Sequence, residues 1–207
     1  MSDQIYPSRY LETAVHEIGK LPGIGKKTAL RLALHILKQD ESYAKNLSDS
    51  IIQLKQEIRF CKKCHTISDL ELCEICANPL RDSSIICVVE HIKDVLVIEN
   101  TQQFRGLYHV LGGVISPIDG VSPADLQIES LLERTKSGEV KELIFALPVT
   151  IEGDTTSFYL YKKLHQTPIA MTMIARGISL GNDLEYTDEA TLARSIKDRV
   201  VYTGGGK

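Results

Sequence analysis

The sequence predicts a multidomain α/β protein: N-terminal helices, a small four-cysteine zinc element, a parallel α/β domain and a short C-terminal helical segment. Three observations support this fold class. Apolar residues before position 59 recur at helical spacing, and four cysteines form two CxxC pairs. After position 82, short apolar runs alternate with amphipathic segments. Such alternation is typical of buried parallel strands joined by crossover helices.

The N-terminal region is predicted to contain three helices, at residues 7–18, 26–37 and 43–58. The third helix is expected to turn an apolar stripe inward, formed by Leu47, Ile51, Leu54 and Ile58. Between the first two helices lies the string LPGIG, whose proline and two glycines are typical of a tight turn. These features predict a helical hairpin.

This hairpin is a candidate phosphate-binding site. Backbone N–H groups at a helix N-terminus bind anions, and glycines let a phosphate come close to them. The candidate DNA-contacting residues are two glycines and three cations: Gly23, Gly25, Lys26, Lys27 and Arg31. Lys27 and Arg31 are four residues apart, so they share one helix face. Such contacts bind the nucleic-acid backbone without reading bases. The alternative is that LPGIG only turns the chain and the lysines face solvent.

Four of the five cysteines are predicted to bind one structural Zn²⁺. Cys61, Cys64, Cys73 and Cys76 form CxxC, eight intervening residues and a second CxxC. Two tight turns would together supply four thiolates, in a closed site with no open position for catalysis. The alternatives are two disulfides, a redox-active CxxC and an iron–sulfur cluster. Cys87, inside an apolar run, is expected to be a buried hydrophobic residue and no fifth ligand.

The remainder of the chain is predicted to alternate strands and helices. Three apolar runs are interpreted as buried parallel strands, at residues 84–89, 143–147 and 169–174. Helices are expected to begin at Ser122 and to cover residues 154–165 and 188–199. Residues 95–98 fit a strand by composition and a helix by position.

Carboxylates follow two of these predicted strands. Glu90 ends the first strand, Asp94 lies one helical turn later, and Glu152 and Asp154 follow the second strand. The carboxyl ends of neighbouring parallel strands meet at one crevice, so these acids could reach a single Mg²⁺ or a basic partner surface. They could also be ordinary solvated loop residues.

Charge is distributed unevenly along the chain, whose formal net charge is −3. Residues 1–60 contain nine basic and seven acidic residues, whereas residues 82–207 contain twelve basic and seventeen acidic residues. A polyanion would therefore meet the N-terminal region. There is no apolar run of membrane-spanning length, and the start MSDQIYPSRY lacks signal-peptide features. We expect a cytoplasmic protein with reduced thiols that does not bind membranes.

Several strings resemble known DNA-processing families. LPGIGKKTA resembles the helix-hairpin-helix DNA-binding motif. A strand ending in Glu90, followed by Glu152-x-Asp154, resembles the Toprim domain of primases, topoisomerases and related nucleases, which usually has Asp at the position of Glu152. Further strings extend the likeness: CEIC, RDSSIICVVE, GLYHVLGGVISPIDGVSP, TIEGDTTSFYL and GISLGNDLEYTDEATL. Over nearly the whole chain, the sequence resembles the RecR family of bacterial recombination mediators.

The resemblance implies four segments: a helix-hairpin-helix DNA-binding domain (1–59), a C4 zinc finger (60–81), a Toprim domain (82–178) and a C-terminal segment for oligomer contacts (179–207). It also implies a non-enzymatic DNA clamp and adaptor in recombinational repair of DNA damage, acting with RecO and RecF to help load RecA on gapped DNA. Members form ring-shaped homo-oligomers, expected here to be a tetramer.

In such a ring, Lys27 and Arg31 would line the DNA-facing side, and the four acids would contact a partner or bind Mg²⁺. The alternative of a different class is a Mg²⁺-dependent Toprim nuclease or primase-like enzyme that uses Glu90, Glu152 and Asp154.

Overall fold

Residues 6–178, 181 and 183–201 are described by the structure, which is a computed structural model. The chain divides after Ile58 into two units, and each is considered by itself. Of the predicted C-terminal segment, residues 179, 180, 182 and 202–207 lie outside the described residues.

The described residues of the first unit form three helices: α1 (Arg9–Gly19), α2 (Lys26–Lys38) and α3 (Glu41–Glu57). Side chains begin two of them, since Ser8 accepts a hydrogen bond from Tyr10 N–H at α1 and Asp40 accepts one from Tyr43 N–H at α3. The core of this unit lies between α1 and α2, where Val15, Ala29 and Ala33 are buried.

The apolar stripe of α3 is not buried within the chain. No described residue of this helix is buried, and Leu47, Ile51 and Leu54 are 41%, 59% and 61% exposed. Ile58 lies one residue beyond the helix end and is half-buried. The prediction of the helix is therefore confirmed, but the prediction that its stripe packs inward is wrong for the single chain. Apolar periodicity identifies a helix with a binding face and does not say what covers that face.

The second unit begins with small elements around the cysteines and continues into a four-stranded sheet. The first elements are β1 (Arg59–Phe60), β2 (Ile67–Ser68), which pairs with β1 in an antiparallel hairpin, and α4 (Glu74–Ala77). The sheet strands are β3 (Asp82–Val89), β4 (Gly106–Val110), β5 (Glu142–Ala146) and β6 (Ala170–Met173). The order across the sheet is β4-β3-β5-β6, and all pairings are parallel.

Helices flank this sheet: α5 (Ile92–Asn100), α6 (Ile128–Thr135) and α7 (Ile151–Leu164). A further helix, α8 (Glu189–Lys197), follows near the C-terminus. Alternate residues of β3 enter two separate apolar clusters, because successive strand side chains point to opposite faces. Val88 packs in the cluster that contains residues of α6 and α7, and Val89 in the cluster that contains Val95 of α5. Both faces are therefore covered, as expected for a parallel sheet.

All three predicted strands form, whereas β4 was not predicted. The motif GLYHV of β4 contains a histidine, and yet every residue of β4 is buried. Residues 95–98 lie in the helix α5. The helix predicted to start at Ser122 begins as a short 3₁₀ turn, Pro123–Asp125, before α6. None of the described helices is long and apolar enough to cross a membrane.

Candidate zinc site and nucleic-acid interface

The LPGIG hairpin is open on its outer side. Gly23 has a φ of +79°, which other residues rarely adopt, and Ile24 N–H closes the turn on Leu21 C=O at 3.1 Å. Gly25 is the N-cap of α2, with no side-chain cap, and a Cβ built on either glycine would meet nothing within 4 Å. No side chain therefore covers the first N–H groups of α2, and an anion can reach them.

The cations that follow the hairpin face solvent. Lys26, Lys27 and Arg31 are exposed, and the first turn of α2 has no acidic residue. In the described ranges, no carboxylate forms an ion pair with any of the three. Their charge adds to the positive end of the helix dipole, so this surface attracts anions.

The four predicted zinc ligands lie together. The Sγ atoms of Cys61, Cys64, Cys73 and Cys76 are all within 4.8 Å of one another, and all but Cys76 are buried. The Sγ atoms of Cys64 and Cys73 are 3.5 Å apart, and no disulfide joins the cysteines. Local backbone geometry closes both turns. His65, with a φ of +63°, donates its N–H to Cys61 C=O, and Cys76 N–H donates to Cys73 Sγ at 3.4 Å.

The chemistry of these donors fits a dication. Hydrogen bonds from Cys64 and Cys76 lower the pKa of Cys73. The hydrogen bond from Cys64 to Cys73 raises the pKa of Cys64. Without a metal, therefore, one thiolate is stabilised at the cost of the others. Four deprotonated thiols in one buried cluster need a compensating positive charge, and Zn²⁺ with four thiolate ligands supplies it. Cys87 lies apart, in the core behind β3, where burial raises its pKa to about 12, in agreement with the expected hydrophobic role.

The zinc element is attached to the sheet through groups that the sequence analysis did not identify. Cys64 C=O accepts a hydrogen bond from Val110 N–H, at the end of β4, at 2.9 Å. His65 Nε2 lies 2.7 Å from Ser130 Oγ of α6, and its ring packs edge-on against His109 at 5.2 Å. The sequence did contain one indication of this attachment, which is the histidine within the apolar segment of β4. A buried polar side chain normally has a hydrogen-bond partner, so His109 indicated that another element packs there.

The four predicted acids do not form a compact metal site. Glu90 Oε1 lies 3.2 Å from His91 Nε2, and Asp94 accepts His91 N–H at 2.8 Å, which caps α5. Among the residues that the structure describes, the cysteine cluster is the only group of three or more such ligands within 4.8 Å of one another. The four acids are therefore not gathered within ligand distance of one another, and Asp94 caps its own helix.

The second pair of acids also has local roles. The helix α7 begins at Ile151, three residues before the predicted start, so Glu152 and Asp154 lie in its first turn. The helix dipole stabilises acidic side chains at this end of a helix. Asp154 Oδ1 is 2.7 Å from Nη1 of Arg176, whose side chain is 9% exposed. Between the two acids, a Cβ on Gly153 would lie 2.1 Å from Pro148 C=O, so the close approach of the backbone requires glycine there.

Comparison with known proteins assigns nearly the whole chain. Family models match residues 11–55 (RecR, helix-hairpin-helix), 58–78 (RecR, four-cysteine zinc finger domain), 84–175 (Toprim domain) and 177–200 (RecR, C-terminal). A protein named Recombination protein RecR from Bacteroides thetaiotaomicron is 60% identical over 202 residues, which is 98% of each chain. This chain belongs to the RecR family. A RecR relative from Flavobacterium johnsoniae is 55% identical over 197 residues, 95% of this chain and 96% of its own length.

Membership of the RecR family also decides between the metal hypotheses. The RecR zinc finger model covers the four clustered cysteines, so the chain has one structural Zn²⁺ site formed by Cys61, Cys64, Cys73 and Cys76. Zinc bound there crosslinks the two CxxC turns and stabilises the fold. The RecR helix-hairpin-helix model covers the LPGIG hairpin, and the Toprim model covers the parallel sheet, which confirms the predicted fold class.

Proposed function

We propose that this chain is a non-enzymatic DNA-binding clamp and adaptor in recombinational DNA repair. The observation that carries the proposal is the open glycine hairpin at the start of α2, with three exposed cations behind it that have no acidic partner among the described residues. The name of the relatives, Recombination protein RecR, supports a role in recombination. The protein works in the cytoplasm, where the thiols of the zinc site stay reduced.

Each segment has a main task in this proposal. Residues 1–59 bind DNA, residues 60–81 hold Zn²⁺, residues 82–178 form the partner-binding domain, and residues 179–207 make oligomer contacts. Amide N–H groups of Gly23 and Gly25 approach a phosphate, and Lys26, Lys27 and Arg31 neutralise it and its neighbours. None of these groups reads a base edge, so the grip is independent of sequence.

Self-assembly into a ring, proposed to be a tetramer, is supported by the exposed stripe of α3. Leu47, Ile51 and Leu54 lie on one side of this helix, and all three are exposed in the single chain. Burying apolar surface contributes roughly 25 cal/mol per Å², so a second copy that covers this stripe gains stability. Several weak hairpin contacts arranged around one DNA then act together.

The acidic part of the chain suits protein partners. Residues 82–207 carry five more acidic than basic residues, and Glu90 and Glu152 lie half-buried near the ends of β3 and β5. A basic surface on RecO or RecF is the proposed complement. The clamp would hold gapped DNA while these partners help RecA to load, and no step requires bond chemistry from this chain.

DNA binding of this kind should weaken steeply with salt. Fluorescence anisotropy with two gapped duplexes of unrelated sequence is expected to give equal affinities within about twofold, because backbone contacts carry no sequence information. Raising salt from about 50 mM to about 200 mM should reduce affinity by at least about tenfold, because each neutralised phosphate releases counterions. A strong preference for one sequence, or affinity that does not change with salt, would contradict backbone binding by the hairpin.

Self-assembly should depend on α3. An Ile51→Glu variant is expected to sediment as smaller species than the wild type, because a charge would lie in the middle of the apolar stripe. Gln53→Glu, on the same helix, is the matched control and should assemble normally. Because both positions are exposed in the single chain, helical content should be unchanged in each. Equal sedimentation of Ile51→Glu and the wild type would exclude this stripe as the contact.

A further inference from the structure

Arg134, on α6, is a half-buried cation whose hydrogen-bond partners are neutral. Its Nη1 donates to Tyr108 C=O at 2.8 Å and to His109 Nδ1 at 3.1 Å. Its Nη2 is buried and has no hydrogen-bond partner. In the part of the chain that the structure describes, no carboxylate forms an ion pair with it. Withdrawing part of a charge from water without a counter-charge is costly, so a negative group nearby would stabilise this guanidinium.

His109 cannot supply that negative charge. It is completely buried in β4, and its Nε2 lies 2.7 Å from Gln127 C=O. A carbonyl only accepts hydrogen bonds, so Nε2 carries the ring proton and Nδ1 accepts from Arg134. Burial lowers the pKa of His109 to about 3, which keeps the ring neutral. The histidine therefore orients the guanidinium without neutralising it.

The zinc site is the anionic group next to this arginine. His109 packs against His65, which directly follows the zinc ligand Cys64. Arg134 and Lys63, which directly precedes Cys64, line one cavity of about 250 Å³. Burial lowers the pKa of Arg134, and the nearby sulfurs of Cys76 and the other three cysteines raise it. Zn²⁺ with four thiolates has a formal charge of −2, which also needs compensation when it is buried.

The lysines of the zinc element are poor candidates for this compensation. Lys62 Nζ lies 2.6 Å from Glu71 Oε1 at the surface, so its charge is already paired. Lys63 is half-buried, but among the described residues no ion pair fixes its ammonium group, which lies at the end of a flexible stem. The guanidinium of Arg134 is held by two hydrogen bonds, and its buried Nη2 is screened less than a surface charge.

We infer that Arg134 is the counter-charge of the zinc-thiolate centre: a positioning residue that does not touch the metal but stabilises the four thiolates, so that the site holds Zn²⁺ tightly. It is anchored for this task by Tyr108 C=O and His109 on the sheet side. The sheet domain thereby contributes to the affinity of the zinc element for its metal.

The test is zinc transfer from the loaded full-length protein to an excess of the chelator 4-(2-pyridylazo)resorcinol. Arg134→Met, which keeps volume and removes charge, should transfer zinc about 10–100-fold faster, the usual size of outer-shell effects. Arg134→Lys, which keeps the charge, should recover most of the loss. Lys62→Met, which removes an exposed charge beside the ligand Cys61, is the matched control and should transfer zinc within about twofold of the wild type.

Cobalt substitution separates charge from packing. The Co²⁺ forms should all show tetrahedral d–d bands, and the sulfur-to-cobalt charge-transfer band should move to lower energy only in Arg134→Met, because the thiolates lose a nearby positive charge. If Arg134→Met does not fold, Arg134→Gln takes its place. A folded neutral variant with wild-type zinc transfer and an unshifted charge-transfer band would overturn the inference. Failure of Arg134→Lys to recover either property would overturn it too.

Discussion

Zinc should be lost almost completely from a Cys73→Ser variant. Cys73 holds several parts of the cluster together. Its Sγ is 3.5 Å from Cys64 Sγ and accepts a hydrogen bond from Cys76 N–H, and the residue is the N-cap of the helix α4. Serine is a poor ligand for Zn²⁺, and three thiolates leave an open position through which water and chelators reach the metal. Metal analysis after dialysis against a mild chelator should find less than about one tenth of the wild-type zinc content.

The same variant should unfold at a lower temperature, because zinc binding to a structural site of this kind is part of the folding free energy. Cys87→Ser is the matched control. It replaces a buried cysteine in β3 that does not belong to the cluster, so the zinc content should stay at the wild-type value. The stability of this control should fall, because it places a hydroxyl group in an apolar site. Wild-type zinc content in Cys73→Ser would argue against the assignment of four cysteine ligands.

A Lys27→Glu/Arg31→Glu double variant should bind DNA much more weakly than the wild type. The two cations lie one turn apart on α2, directly after the open hairpin, and neither has an acidic partner among the described residues. Reversal places two carboxylates where the phosphate would lie, so at low salt the affinity should fall by at least about tenfold, and the salt slope should become shallower.

The control for this experiment is Lys38→Glu/Lys45→Glu. It makes the same change in net charge within the same unit, but Lys38 lies at the other end of α2, about 18 Å from the hairpin at the helical rise. We expect anisotropy titrations to give this control nearly wild-type affinity. Equal losses in both double variants would mean that overall charge, and no specific hairpin contact, governs DNA binding. No loss in either would refute the DNA-binding proposal.

The sequence predicted what depends on local pattern and failed where distant groups decide. The strands at 84–89 and 143–147 and the zinc ligands followed from apolar runs and from spacing, which are local properties. The strand β4 could not be predicted in this way, because His109 interrupts its apolar pattern and is accommodated by Gln127 and Arg134, 18 and 25 residues away. The start of α7 was misplaced for a related reason, since the cap at Thr150 begins the helix before Glu152.

The attachment of Cys64 to β4 has a consequence for the lifetime of the newly made chain. β4 is an edge of the sheet, and an edge strand with free N–H and C=O groups is a template for pairing with other molecules. Here the N–H of Val110 is occupied by Cys64 C=O, and the whole strand is shielded. A chain that has folded its sheet before it captures metal lacks this cover, so scarcity of zinc in the cell should appear first as aggregation during synthesis, before any loss of DNA binding by molecules already made.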